Sequence, residues 1–333
     1  MPQTALNLPD PRPYFPLATG KYTVEAGLKI LGQQPVEGEV ESAFFPIDRL
    51  YGDYLSEKRV SRQALSKHYA THRLPDATAR DVADWIMDQL VTESPRFFER
   101  EGLVFRNLLA GFEARLTPDG LTVEDFRLLP PRVPEAQAPE QDFTGADVLD
   151  FLASQLSEDL ALTLRDPATG ENWLGLLHIS FPNHWAPGEK IGKPFLAVHE
   201  PVADFERIAR ASDKLIDATI TKGPFIRFAW GIATDTRLNH HPDAPPGRLL
   251  ASEDPATVGE NAFMRIERQT LKGFPEHQAG LFTIRTTFRP LSEVAANPEQ
   301  RAMLREAIAT MSPEALVYKG LTKLQEPLVR YLS

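Results

Sequence analysis

Residues 281–289 alternate with period two. Phe282, Ile284, Thr286 and Phe288 fall on one side of an extended chain, and Thr283, Arg285, Thr287 and Arg289 on the other. Only a strand separates neighbours in this way, and a strand needs partners to satisfy its backbone. Candidate partners are residues 225–230, where Ile226, Phe228 and Trp230 share a face and leave Arg227 opposite beside small Ala229, together with 173–181 and 194–199. Helical stripes flank them. Val82, Trp85, Ile86 and Leu90 recur at spacings of three and four over 79–92. A second helix is expected over 145–162, with Val148, Phe151, Leu152 and Leu156 inward. A third is expected over 205–220, with Ile208, Leu215 and Ile216 apolar, and Gly223-Pro224 stopping it. Near the C-terminus Asn297-Pro298 and Ser312-Pro313-Glu314 each place a capping residue before a first-turn proline. The fold class is therefore α+β: a largely antiparallel sheet with flanking N- and C-terminal helices.

A chain of 333 residues suits about two domains or one large one. The expected division is an N-terminal extended and helical region, 1–140, packed on a core formed by 141–333. Pro9, Pro11, Pro13 and Pro16 should hold the first 20 residues extended over the surface. Residues 128–141 read as a stiff connector or an ordinary proline-rich loop, and 240–258 as an acidic, proline-rich surface loop. No apolar run approaches the roughly 20 residues of a membrane span. The start carries no basic segment followed by an apolar core, which predicts a cytoplasmic location. A net charge of −10 argues against nucleic acid as a partner. The absence of cysteine removes disulfides, thiolate zinc sites, cysteine nucleophiles and iron–sulfur ligation, so any metal must be held by nitrogen or oxygen.

No dinucleotide fingerprint, nucleophile elbow or zinc-peptidase motif occurs. The stretch from Gly188 to Pro194 imitates a phosphate loop, but its glycines stand too close together and Pro194 replaces the hydroxyl residue. Attention then falls on the histidines. His199 ends the short apolar run 194–199. On a strand Phe195, Ala197 and His199 would share a face, a setting suited to neutral nitrogen ligation of iron. A hydrogen-bonded structural histidine is the ordinary alternative. His178 and His184 are weaker rivals, His240-His241 reads as a solvated pair, and His68, His72 and His277 look peripheral. The charges of Arg265–Leu271 read either as a solvated turn or as an arginine cluster for carboxylates, to which Arg227 and Arg285 contribute. Glu267 suits a salt bridge with Arg265 or Arg268 better than recognition of an ammonium.

Four blocks carry a resemblance to a known family. They are Tyr22–Leu31 with Phe45-Pro-Ile-Asp48 and Tyr54–Arg59; Ser157-Glu-Asp-Leu160; Phe181-Pro182, Trp185, Glu189-Lys190, Gly192 and His199 with Pro201-Val202; and Arg265–Leu271 with Phe282-Thr-Ile-Arg285. In this order they resemble the haem-dependent oxidative N-demethylase family. The resemblance implies a PAS-like fold holding haem b through His199. Trp185, Lys190, Lys193, Arg227, Trp230, Arg268 and Arg285 are the further cofactor-binding candidates. It implies oxidative demethylation of a small secondary amine such as dimethylamine with O2, releasing formaldehyde. It also implies tetrahydrofolate as formaldehyde acceptor, and FMN and an iron–sulfur cluster on a reductase partner only. A PAS-like haem or small-ligand sensor and a non-catalytic scaffold subunit are the competing readings. Two departures stand out: Ala229 replaces the asparagine expected before Trp230, and Gly273-Phe274-Pro275 replaces the usual Arg-Leu-Pro.

Overall fold

The alternating segment lies within β13 (Ala279–Pro290), the fourth of seven strands in the main sheet. On one side β13 pairs with β12 (Phe263–Phe274), which sets Arg268 opposite Arg285 and Thr270 opposite Thr283, and β12 pairs with β11 (Phe225–Ala233). On the other side come β9 (Asp159–Arg165) and β10 (Asn172–His178). Two short strands from earlier in the chain close the edges, β1 (Lys29–Ile30) on β11 and β4 (Tyr69–Thr71) on β10, and every step is antiparallel. This is a computed structural model, and it describes residues 7–22, 26–33, 35–36, 38–133, 141–244 and 257–333.

The remaining elements dress the two faces. A small hairpin, β2 (Pro35–Val36) and β3 (Glu39–Val40), precedes α1 (Tyr51–Arg62), α2 (Leu65–His68) and α3 (Asp76–Glu93). A four-stranded meander follows: β5 (Phe98–Glu101), β6 (Val104–Asn107), β7 (Phe112–Leu116) and β8 (Val123–Leu128). It shares one core with α3, with α4 (Val148–Ala153), and with Leu160, Leu162 and Leu281 of the main sheet. A second core gathers Met264 and Ile266 under α8 (Leu291–Ala296), α9 (Pro298–Ala309), α10 (Pro313–Tyr318) and α11 (Gln325–Tyr331). The expected caps are present, with Asn297 accepting from the Glu299 and Gln300 amides and Ser312 from that of Ala315. On the opposite face of the sheet lie α5 (Pro187–Lys190), α6 (Phe195–His199) and α7 (Phe205–Thr221). Among the described residues no helix is long and apolar enough to cross a membrane.

Several expectations are corrected. The helix expected over 145–162 ends at Ala153, and the chain re-enters the sheet as β9 at Asp159. Leu160, Leu162 and Leu164 are all buried on one face, the period of a strand, which overrides the helical stripe before them. Residues 194–199 form a helix instead of a strand. The Val198 amide donates to the Pro194 carbonyl, and the Phe195 amide to the side chain of Asn172. Arg265–Leu271 is a buried sheet strand, with neither arginine solvated. The proline-rich N-terminus is irregular, but Tyr14 and Phe15 leave the surface for the second core. His68, His240 and His241 are buried. His240 is held by Asp235 at 3.0 Å, and His68 pairs with the Ile179 carbonyl. Most of the two proline-rich segments, 134–140 and 245–256, lies outside the described residues.

The polar face of the sheet is the one turned to the core. Arg268 pairs with Glu41 at 3.1 Å, and Arg285 with Asp48 at 2.7 Å. The two guanidiniums also donate to the carbonyls of Phe44, Ala43 and Pro46. Segment 41–48 is thereby clamped beneath the sheet. Breaking one such buried pair leaves an uncompensated charge, which costs about 3–5 kcal/mol. Asp48→Ala should lower unfolding stability by that amount in urea titration. The paired replacement Asp48→Leu with Arg285→Met should recover most of it. An Asp48→Ala loss below about 1 kcal/mol would show that the clamp is not needed.

Candidate functional site

The other face of the same sheet is the wall of a cavity of about 680 Å³, within the roughly 300–1,000 Å³ usual for ligand sites. Phe282 and Ile284 of β13, Leu271 of β12 and Leu177 of β10 line one side, and Ile208 and Leu215 of α7 another. The apolar Phe282 and Ile284 of the alternating segment are thus a cavity wall. Close approach of α7 to the sheet depends on Gly273, where an added Cβ would lie 2.0 Å from the Ile220 carbonyl oxygen. The departure at Gly273 therefore has a packing cause in this chain. The other, Ala229, lines the cavity itself.

His199 is the last residue of α6 and faces this cavity. Pro194 opens the helix, and one turn later the ring of His199 meets that of Phe195, with centroids 4.0 Å apart. Its Nδ1 lies 2.8 Å from the Phe195 carbonyl oxygen. A carbonyl only accepts, so Nδ1 carries the proton and Nε2 keeps its lone pair. Burial pushes the imidazole pKa below its ordinary 6.5; the cations Lys190 and Arg227 act in the same sense, and the Phe195 carbonyl opposes them. A metal-ligating histidine has this arrangement, one nitrogen fixed on a backbone carbonyl and the other neutral and with no hydrogen-bond partner among the described residues.

Of the residues singled out from the sequence, Trp185, Lys190 and Arg227 meet His199 at the cavity. The Lys190 ammonium sits 4.1 Å from the centre of the Trp185 ring. Burial lowers the pKa of Lys190 and of Arg227, while Glu267 opposes the shift in both. Glu267 accepts from Gln269 at 3.0 Å and lies 3.5 Å from Arg265. The others lie elsewhere. Lys193 is exposed, its carbonyl accepting from the Leu174 amide. Trp230 lines a second cavity of about 900 Å³. Arg268 and Arg285 are on the far face, bound to the carboxylates of segment 41–48. His178 turns to the core and meets Asp150 at 3.2 Å, because Leu177 and Ile179 on either side take the cavity face. His184 is exposed and stacks on His240. Arg207, Gln269 and Tyr318 were not singled out, yet all three line the cavity. Gln269 shares the strand face of Glu267, a signal present in the sequence. Tyr318 reaches the cavity from the end of α10, which no local pattern announces.

A family model described as haem-dependent oxidative N-demethylase, alpha subunit-like, matches residues 37–329. The chain belongs to this family. The match takes in every element of the main sheet except β1. The family is named for haem-dependent oxidative N-demethylation, and its description as alpha subunit-like implies further subunits. The cavity residues fit a haem. Apolar walls suit a porphyrin face, the free Nε2 of His199 suits iron, and Lys190, Arg207 and Arg227 are cations suited to carboxylates.

The tautomer and the lowered pKa are measurable. At pH 7 the His199 ring should be neutral and protonated at Nδ1 in nitrogen-detected NMR of the haem-free chain. It should charge only below pH 6.5, because burial disfavours the cation. A ring that titrates at or above 6.5, or that carries its proton on Nε2, is inconsistent with this geometry.

Proposed function

We propose that this chain is the haem-carrying subunit of an oxidative N-demethylase, with His199 as the residue that would hold the iron. The observation that carries the reading is the free, neutral Nε2 of His199 facing an apolar cavity in a member of this family. When bound, haem b supplies the redox chemistry: a small secondary amine, dimethylamine-like, loses one methyl group as formaldehyde. One O2, two electrons and two protons are consumed per turnover, and water is formed. Electrons come from a reductase partner bearing FMN and an iron–sulfur cluster, since this chain has no cysteine to hold a cluster. Tetrahydrofolate is the proposed acceptor of the formaldehyde, and a PAS-like haem-binding arrangement the proposed description of the sheet.

The chain's own residues position and shield. The Phe195 carbonyl fixes the His199 ring and aims Nε2. Lys190 and Arg227 would hold the carboxylates of the cofactor, and the stacked Trp185 keeps Lys190 in place. Phe282, Ile284 and Leu271 keep water from the reacting face. Glu267, the one carboxylate among the described lining residues, is where an ammonium entering the cavity would pair.

Purified protein reconstituted with haem should show a Soret band that shifts on reduction, and His199→Ala should abolish or alter that band. Lys190→Ala or Arg227→Ala should each weaken haem retention about tenfold, the worth of one charge-assisted hydrogen bond. With a reductase, dimethylamine should then yield formaldehyde. Wild-type protein that binds no haem would overturn the reading. A Soret band untouched by His199→Ala would keep the cofactor and reject the ligand.

A further inference from the structure

The second cavity, of about 900 Å³, lies where the N-terminal segment, the β11 strand and the C-terminal helices meet. Arg227, Ala229 and Tyr318 line it and the first cavity alike. Lys319, just past α10, reaches into it. Its Nζ donates one hydrogen bond, 2.5 Å long, to the Trp230 carbonyl. That carbonyl belongs to the part of β11 beyond the reach of β1, which pairs only at Phe225 and Ile226. The rings of Tyr22, Trp230 and Tyr318 surround the nitrogen at 5.8, 5.8 and 5.5 Å. Among the described residues no carboxylate lies within ion-pair distance of it.

We propose that Lys319 is a carbonyl-reactive amine that takes a small aldehyde in the second cavity as a reversible imine. The reaction needs a primary amine in its free-base form beside a space open to a small molecule. Burial lowers the Lys319 pKa to about 8, with Glu267 opposing the shift and Arg227 reinforcing it. A structural cap on an edge carbonyl needs only a donor, which arginine or glutamine supplies equally well. Lysine alone adds a nucleophile. The Nζ lone pair forms a bond to the carbonyl carbon, the π pair moves to oxygen, and the proton released by nitrogen passes to that oxygen. Loss of water then gives the imine, and hydrolysis returns both partners with no oxidation or reduction. That the aldehyde is formaldehyde rests on the demethylase reading, whose product it is.

The test is reductive methylation of the purified full chain with limiting formaldehyde and cyanoborohydride at neutral pH, followed by peptide mapping. Lys319 should be methylated about tenfold faster than the exposed Lys214 and Lys323, because burial leaves part of it as free base at neutral pH. Its rate should level off above about pH 8. Labelling of Lys319 no faster than of Lys214 and Lys323, or a rate still rising above pH 9, would overturn the proposal. The outcome is independent of turnover. Fast labelling in a protein that binds no haem keeps this site and rejects the demethylase reading, whereas slow labelling in an active enzyme rejects this site alone.

Discussion

Two guanidiniums lie side by side under the main sheet, and the rest of the structure is arranged around keeping them there. The register of β12 against β13 sets Arg268 directly opposite Arg285 on the core face, both almost fully buried. Two like charges in a medium poorer than water repel strongly, and each also loses its hydration. The sheet by itself has no answer to either cost. Segment 41–48 supplies it, with Glu41 and Asp48 as counter-charges and the carbonyls of Ala43, Phe44 and Pro46 filling the remaining donor positions. Glu158, on the turn that leads into β9, lies near both guanidiniums. Burial raises its pKa to about 7 against their pull. The pair therefore binds the N-terminal region to the sheet through charge, a bond more specific in direction than apolar contact.

That commitment decides what the other face can be. With Thr283 and Arg285 turned to the core, β13 presents Phe282 and Ile284 outward, and helices α6 and α7 cover them only in part. An apolar face that is roofed but not filled is a ligand site. His199 enters it from a helix end, where the carbonyl one turn back is free to accept its Nδ1 proton. One local hydrogen bond thus sets the ring orientation, the tautomer and the free nitrogen together.

Much of this was legible in the sequence, element by element. The β13 alternation, the stripe of α3, the length of α7 and the N-caps Asn297 and Ser312, each followed by proline, are read correctly, since each depends on side chains within a turn or two. The errors share a cause. A short apolar run such as 194–199 fits a strand or a helix equally, and the side chain of Asn172, far off in sequence, settled it as helix. The helical stripe beginning at Val148 was real but ended at Ala153, where pairing of β9 with β13 and β10 outweighed propensity. His240 and His241 read as solvated because their flanks are prolines, while Asp235 and the backbone of residues 182–184 bury them.

The sequence by itself determined the fold class, the periodicity of the long elements and the order of motifs that marks the family, because these are properties of neighbours along the chain. It also contained His199, Lys190 and Arg227 as candidates. Only the tertiary structure decided which face of β13 is the core, which carboxylates answer the buried arginines, and which candidates meet at one cavity. The partners involved are separated by 227 positions for Arg268 and Glu41, and by 237 for Arg285 and Asp48. No local pattern spans such a distance. Whether a face of mixed Thr and Arg is solvated or buried depends on whether distant carboxylates arrive to neutralise it, and that is settled only when the chain closes on itself.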